Sequence, residues 1–238
     1  MQVVILAGGL GTRLKAVAPN TPKALVPVAG RPFIEHQFEL LKRNGLTKVL
    51  LCVGYFANLI EEHVGDGSRF GVSVQYSYED PGMLLGTGGA LINAMGLLED
   101  SFLTIYGDSY LPTDYRAVVD AFAKRNAKAM MCVFRNEGKW DKSNVRIAGG
   151  RVSFYSKAAQ PGDADYIDYG LSAYRKSVIQ TYHGITLPID LGRVQEDLVR
   201  RGEMGAFEVR ERFYEIGKPE GLAELDRALR AREPGVKE

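Results

Sequence analysis

The sequence is poor in the residues that would announce several kinds of function. It has two cysteines, Cys52 and Cys132, and three histidines, His36, His63 and His183, with no metal-ligand spacing among them. Each cysteine sits in an apolar run, Leu50-Leu51-Cys52-Val53 and Met130-Met131-Cys132-Val133, so both read as reduced core thiols rather than a disulfide. The histidines read as ordinary helix or loop residues. An excess of charge of one sign is also missing. Thirty basic and 29 acidic side chains leave a formal net charge of +1, and no overall field would hold the chain on nucleic acid or an anionic membrane. Any phosphate chemistry must therefore rest on local donors. No run approaches the length of a membrane span, and Met1-Gln2-Val3 leads to Gly8 without a basic n-region or cleavage site. The expected location is cytoplasmic. Repeats, low-complexity stretches and linkers are absent as well.

The 238 residues carry 45% hydrophobic and 25% charged side chains, an ordinary balance for a chain with a buried core. Val3 to Ala7 is an unbroken apolar run ending in Gly8-Gly9, as expected of a strand buried on both faces. Phe33 to Asn44 has helical spacing, with Gly45 as its C-cap. Further strands are expected over residues 48–53, 72–78, 102–106 and 129–134. Helices are expected over 58–64, 88–98 and 115–126. This alternation implies right-handed crossovers and an α/β fold with a mostly parallel, mixed central sheet. After about Arg135 the character changes. Val145-Arg146-Ile147, Gly149-Gly150 and Arg151-Val152-Ser153-Phe154 read as a hairpin, Asp168 to Tyr174 as a strand, and Leu191 to Arg201 as a helix. A last helix begins at Pro219 and places Leu222, Leu225 and Leu229 on one face. One domain over 1–238 is expected, with a nucleotide-binding half (1–135) and a mixed part (136–238) that completes a cleft.

The most informative segment follows the first strand: Leu6-Ala7-Gly8-Gly9-Leu10-Gly11-Thr12-Arg13-Leu14. Glycines there let backbone amides approach phosphate oxygens, and a guanidinium fork such as Arg13 pairs with phosphate. Pro22-Lys23-Ala24-Leu25-Val26-Pro27 holds a lysine near the same strand ends. The glycines alone would be matched by a simple tight turn; the added cations weaken that reading. A Walker loop would need Gly-Lys-Ser/Thr after its spacer, and a dinucleotide fingerprint would need a third glycine where Leu14 stands. The loop meets neither requirement, and the second failure disfavours an NAD-binding oxidoreductase. Leu85-Gly86-Thr87-Gly88 precedes a helix. Tyr106-Gly107-Asp108 places a carboxylate at a strand's C-terminal end, where open α/β sheets have their clefts.

Taken together, Gly8-Gly9-Leu10-Gly11-Thr12-Arg13-Leu14 and Pro22-Lys23 resemble the signature of the sugar-1-phosphate nucleotidyltransferases, over nearly the whole chain to about Leu229. The resemblance implies a Rossmann-like, three-layer, glycosyltransferase-A-like fold. It also implies an in-line reaction in which a sugar 1-phosphate oxygen attacks the α-phosphorus of a nucleoside triphosphate and pyrophosphate leaves. In that scheme Arg13 and Lys23 are catalytic. Leu6, Ala7, Gly8, Gly9, Gly11, Thr12, Gly86 and Thr87 contact the nucleotide. Lys157, Asp168 and Gly170 hold the sugar phosphate, and Asp108 and Glu215 bind Mg2+. Glu215 stands where the family has aspartate, Lys218 where it has threonine, Ser156 where it has glutamate, Asp168 where it often has asparagine, and Tyr106 where many members have asparagine. Glu79 and Tyr110 are cleft candidates without an assigned role. A C-terminal hexapeptide-repeat domain is not expected. Mannose-type and D-glycero-D-manno-heptose 1-phosphate guanylyltransferases are the most similar members, which favours GTP and a heptose 1-phosphate. Uridylyl, cytidylyl or thymidylyl transfer stays open, as does a non-catalytic nucleotide-sensing subunit, and the fold is compatible with a homo-oligomer. No nucleic-acid or membrane partner is expected.

Overall fold

A computed structural model describes residues 1–9, 21–80, 82–83, 85–125 and 127–232. The elements in chain order are β1 (Gln2–Leu6), β2 (Pro27–Val28), β3 (Arg31–Pro32), α1 (Phe33–Arg43), β4 (Lys48–Val53), α2 (Ala57–Val64), β5 (Ser73–Tyr78), α3 (Gly86–Asn93), β6 (Ser101–Tyr106) and β7 (Ser109–Tyr110). They continue with α4 (Tyr115–Arg125), β8 (Ala129–Arg135), β9 (Val145–Ala148), β10 (Arg151–Tyr155), β11 (Tyr166–Arg175), α5 (Lys176–Gln180), α6 (Leu191–Arg200), β12 (Met204–Val209), β13 (Tyr214–Glu215) and α7 (Pro219–Arg230).

One nine-stranded sheet runs in the order β5-β4-β1-β6-β11-β8-β12-β10-β9. The β5-β4-β1-β6 side is parallel; β11 then runs antiparallel to both β6 and β8. The alternation of β1 explains the layers. Val3 and Ile5 point to the face packed by α1, α2 and α4, through side chains such as Phe38, Ile60 and Phe122. Val4 and Leu6 point to the opposite face, where α3, α5 and α6 supply Leu91, Ile179 and Val194. Helices therefore cover both faces of the parallel half, which is why its strands read as continuous apolar runs. A third, smaller cluster joins Val28, Phe33, Tyr110, Ile216, Leu225 and Leu229, and seats α7 under the β2–β3 and β7–β13 pairs.

Several boundaries move. The helix expected over 88–98 starts at Gly86 and ends at Asn93, and a separate 3-10 turn follows over Met95–Leu97. Asn44 caps α1, and Gly45, with φ +72°, lies one position beyond. The expected hairpin forms as β9–β10, turning through Gly149 and Gly150, both at positive φ. The expected end of the 115–126 helix at Asn126 lies outside the described residues. Strand β12, absent from the sequence reading, pairs in parallel with β8 over six residues.

Helix α7 bears directly on β13. A Cβ placed on Gly221 would lie 2.0 Å from the carbonyl oxygen of Glu215, so only glycine permits this approach. Gly221→Ala should therefore destabilise the chain by about 1–3 kcal/mol as α7 is pushed off β13. Urea denaturation measures this, and an unchanged midpoint would contradict the packing.

Candidate functional site

The C-terminal ends of β1 and β6 lie side by side, with Leu6 opposite Tyr106. Beyond them lie Gly8-Gly9 and the turn at Gly107-Asp108, and the amide of Gly107 donates to the carbonyl of Leu6 at 3.0 Å. A cavity of about 450 Å³ opens over these ends. Leu6, Ala7, Gly8, Gly9, Lys23, Gly86, Thr87 and Asp108 all line it, and so does Glu79. Gly11, Thr12 and Arg13 lie outside the described residues. Burial raises the carboxyl pKa of Glu79 above its ordinary value.

The far wall of this cavity is built by backbone pairing. The amides of Gly88 and Gly89 donate to the carbonyl of Ile189 at 2.9 and 3.1 Å, the amide of Ile189 donates to Leu85, and the hydroxyl of Thr87 accepts from the amide of Leu191 at 2.8 Å. Gly86 has φ +73°, and a Cβ on it would meet the Ile189 carbonyl oxygen at 2.5 Å. Glycine at 86 is thus required both by its backbone angle and by the neighbouring segment.

Lys23, on a 3-10 turn over Lys23–Leu25, donates from Nζ to Oδ2 of Asp108 at 2.6 Å. The turn carrying Asp108 is held from behind by Gln37, a buried residue of α1. Its Nε2 donates to the carbonyls of Tyr106 and Ser109, each at 2.9 Å. In front, the antiparallel β7–β13 pair sets Ser109 opposite Glu215, and the amide of Ile216 donates to the carbonyl of Asp108 at 2.9 Å. Glu215 thereby arrives next to Asp108 from more than 100 residues downstream. Burial, then the charges of Asp108 and Asp141, raise its carboxyl pKa, while Lys23 pulls the other way.

Glu215 faces a second cavity of about 380 Å³, shared with Lys157, Asp168, Gly170, Asp141 and Tyr155. Tyr106 lines both cavities and forms the wall between them. Burial holds its phenol far above the ordinary tyrosine range, so it stays neutral. Lys157 is paired with Asp190 at 2.5 Å; the same carboxylate caps α6 by accepting from the Gly192 amide at 2.7 Å. Asp168 accepts from the Gly170 amide at 3.0 Å, yet burial pushes its carboxyl up to about 6.

The anticipated residues within the described chain thus divide between two adjoining cavities, with Asp108 and Glu215 at the junction. Tyr110 is the exception. Its ring is buried away from the cleft and lines a separate recess between α1 and α7. Gln37, Asp141 and Asp190 were missed. Gln37 had a legible signal, being a polar residue on the helix face defined by Ile34, Phe38 and Leu41, whereas Asp141 sits in a loop with no pattern. Both cysteines are free and buried. Among the described residues, no helix is long and apolar enough to cross a membrane.

The fold and site define an α/β protein whose strand ends frame two joined cavities, one glycine-rich and one rich in charge. The family described as Nucleotidyl transferase matches residues 2–181, and the chain belongs to that family. It is 38% identical over 115 residues to a D-glycero-alpha-D-manno-heptose 1-phosphate guanylyltransferase of Campylobacter jejuni, covering 48% of this chain and 50% of that protein. It is 31% identical over 139 residues to a UTP–glucose-1-phosphate uridylyltransferase of Synechocystis, covering 54% of this chain and 36% of that protein. The chain spans about half the length of the curated relatives it matches. The crystal structure of HddC from Yersinia pseudotuberculosis complexed with GMP-PN superimposes with a TM-score of 0.77 at 28% identity, over 96% of this chain and 99% of that one.

Asp168 makes a prediction about pH. Its folded pKa of about 6 lies above the ordinary 3.8, so the native state binds the extra proton between those values. Stability therefore falls as pH rises through the window, and the cost is fully present above it. Asp168→Asn should stabilise the chain by about 1 kcal/mol above pH 6, a figure discounted for the side chain's contact with solvent. The advantage should vanish below the ordinary carboxylate range. Denaturation of both proteins across pH tests this, and a gap that widens in acid would refute it.

Proposed function

We propose that the chain is a sugar-1-phosphate nucleotidyltransferase that transfers GMP from GTP to D-glycero-α-D-manno-heptose 1-phosphate, releasing pyrophosphate for a surface-polysaccharide precursor pathway. The observation that carries the reading is the junction of the two cavities, where Lys23, Asp108 and Glu215 converge. The reaction brings two anions together, so catalysis is chiefly charge neutralisation and alignment. The attacking phosphate is already ionised and no general base is needed.

The glycine-lined cavity would take the triphosphate. Amides at Gly8 and Gly9 would face its phosphates, and Gly86 and Thr87 would flank the base. Lys23, held on Asp108 in this structure, would be offered a second acceptor by the α-phosphoryl group. Arg13 is assigned to the leaving phosphates on sequence alone. In the second cavity Lys157 would hold the sugar phosphate, and ionised Asp168 would accept from sugar hydroxyls beside Gly170.

Asp108 and Glu215 fit a Mg2+ ion. They are hard oxygen donors, and burial together with the neighbouring charge of Asp108 raises the pKa of Glu215, a cost to its ionised form that a divalent cation would relieve. When bound, the ion would supply positive charge between the phosphates. Guanylyl transfer and heptose are supported by the Campylobacter relative and by the bound nucleotide analogue in the Yersinia structure. Uridylyl transfer is the second reading, favoured by the Synechocystis relative.

A pyrophosphate-release screen crossing GTP, ATP, CTP, UTP and dTTP with heptose, mannose and glucose 1-phosphates tests the proposal. Release should be greatest with GTP and the heptose; another productive pair would overturn the specificity alone. Lys23→Ala and Asp108→Ala should each lower turnover by about 10²-fold or more without loss of fold. A fully active double variant would sink both assignments.

A further inference from the structure

The recess that takes Tyr110 away from the cleft has a composition of its own. It is a cavity of about 230 Å³ between α1, β7 and the end of α7, where Arg31, Arg43 and Arg232 converge around Glu39, His36 and Tyr110. Arg31 donates to Glu39 at 3.0 Å, and Arg43 pairs with the same carboxylate. Arg232 lines the recess beside Tyr110; burial raises the pKa of that phenol, and the charges of Arg232 and Arg43 pull it back. His36 adds no charge. Its Nε2 donates to the carbonyl of Val28 at 2.7 Å, leaving Nδ1 as an acceptor for Arg31 at 3.3 Å. Burial lowers its pKa further. Among the described residues that line the recess, three guanidinium groups thus face one carboxylate, which pairs with two of them.

The geometry points to a second anion-binding site in this recess, for a diphosphate group. Guanidinium forks bind phosphate oxygens in pairs, and a recess focuses their field. The volume suits a pyrophosphate-sized anion rather than a whole nucleotide. The site is separate from the cleft but shares its supports. Tyr110 pairs through its backbone with Tyr214, one residue from the Ser109–Glu215 pair. Helix α1 carries His36, Glu39 and Arg43 into the recess, and it also carries Gln37, which holds the Asp108 turn. Occupancy would therefore bear on the elements that fix both cleft carboxylates.

The proposal does not depend on the reading of the cleft, and its test separates the two. Inorganic pyrophosphate is titrated calorimetrically, without Mg2+, into the Lys23→Ala protein. One site should remain. Arg43→Gln with Arg232→Gln, added to that background, should weaken it by about 10-fold or more. Glu39→Gln should tighten it several-fold, because the competing carboxylate is gone. These side chains are on the surface, and circular dichroism checks the fold. GDP titrated in parallel distinguishes sources. Binding with the same dependence on the arginines makes the diphosphate end of a nucleotide the occupant, whereas binding of pyrophosphate alone makes it the free anion. No residual site in the Lys23→Ala protein, or one indifferent to the arginine and Glu39 changes, would overturn the proposal.

Discussion

Two carboxylates that repel one another have to be held together by something other than their own attraction. In this chain the holding is done by backbone. The two-residue strands β7 and β13 pair so that Ser109 faces Glu215, and the Ile216 amide closes onto the carbonyl of Asp108. Burial first, and then the charge of Asp108, raise the pKa of Glu215, and Lys23 offsets part of that from the other side. A pairing this short would not survive alone in water. It is clamped by Gln37 from behind and by α7 from below, where Gly221 allows the helix to touch the Glu215 carbonyl.

The rest of the architecture follows from where that clamp sits. Parallel strands β1 and β6 end together, so Gly8-Gly9 after one and the Asp108 turn after the other share a rim. Strand β11 then enters antiparallel beside β6 and brings Asp168 and Gly170 to the same edge from the opposite direction. The change of strand direction separates two cavities, with Tyr106 as the wall between them. A polyanion on one side and a phosphorylated acceptor on the other would meet over the clamped carboxylates.

Much of this was legible in the sequence because the signals were local. Buried parallel strands show as apolar runs, α1 and α7 as helical spacings, and the β9–β10 turn as a glycine pair. The glycine loop, Lys23, Asp108 and Glu215 came from a long composite resemblance rather than from periodicity. What stayed hidden was non-local. Strand β12 contains a glycine and is recognisable only through its pairing with β8. Strands β7 and β13 are too short to carry a pattern. The role of Gln37 depends on two carbonyls about 70 residues away. Tyr110 misled because it follows Asp108 in sequence, whereas strand alternation and the β13 partner turn it to the opposite side.

We propose that Asp108 and Glu215 act as one cation site, assembled by the β7–β13 pair. The most direct measurement is Mn2+ binding, followed by electron paramagnetic resonance, in the unaltered protein and in Asp108→Asn, Glu215→Gln and the double variant. If the two carboxylates form a single site, each single change should weaken binding by about 10-fold or more, and the double change should cost little beyond the larger single effect. Binding in Glu215→Gln equal to that of the unaltered protein would show that Asp108 acts without it, and would contradict the central claim.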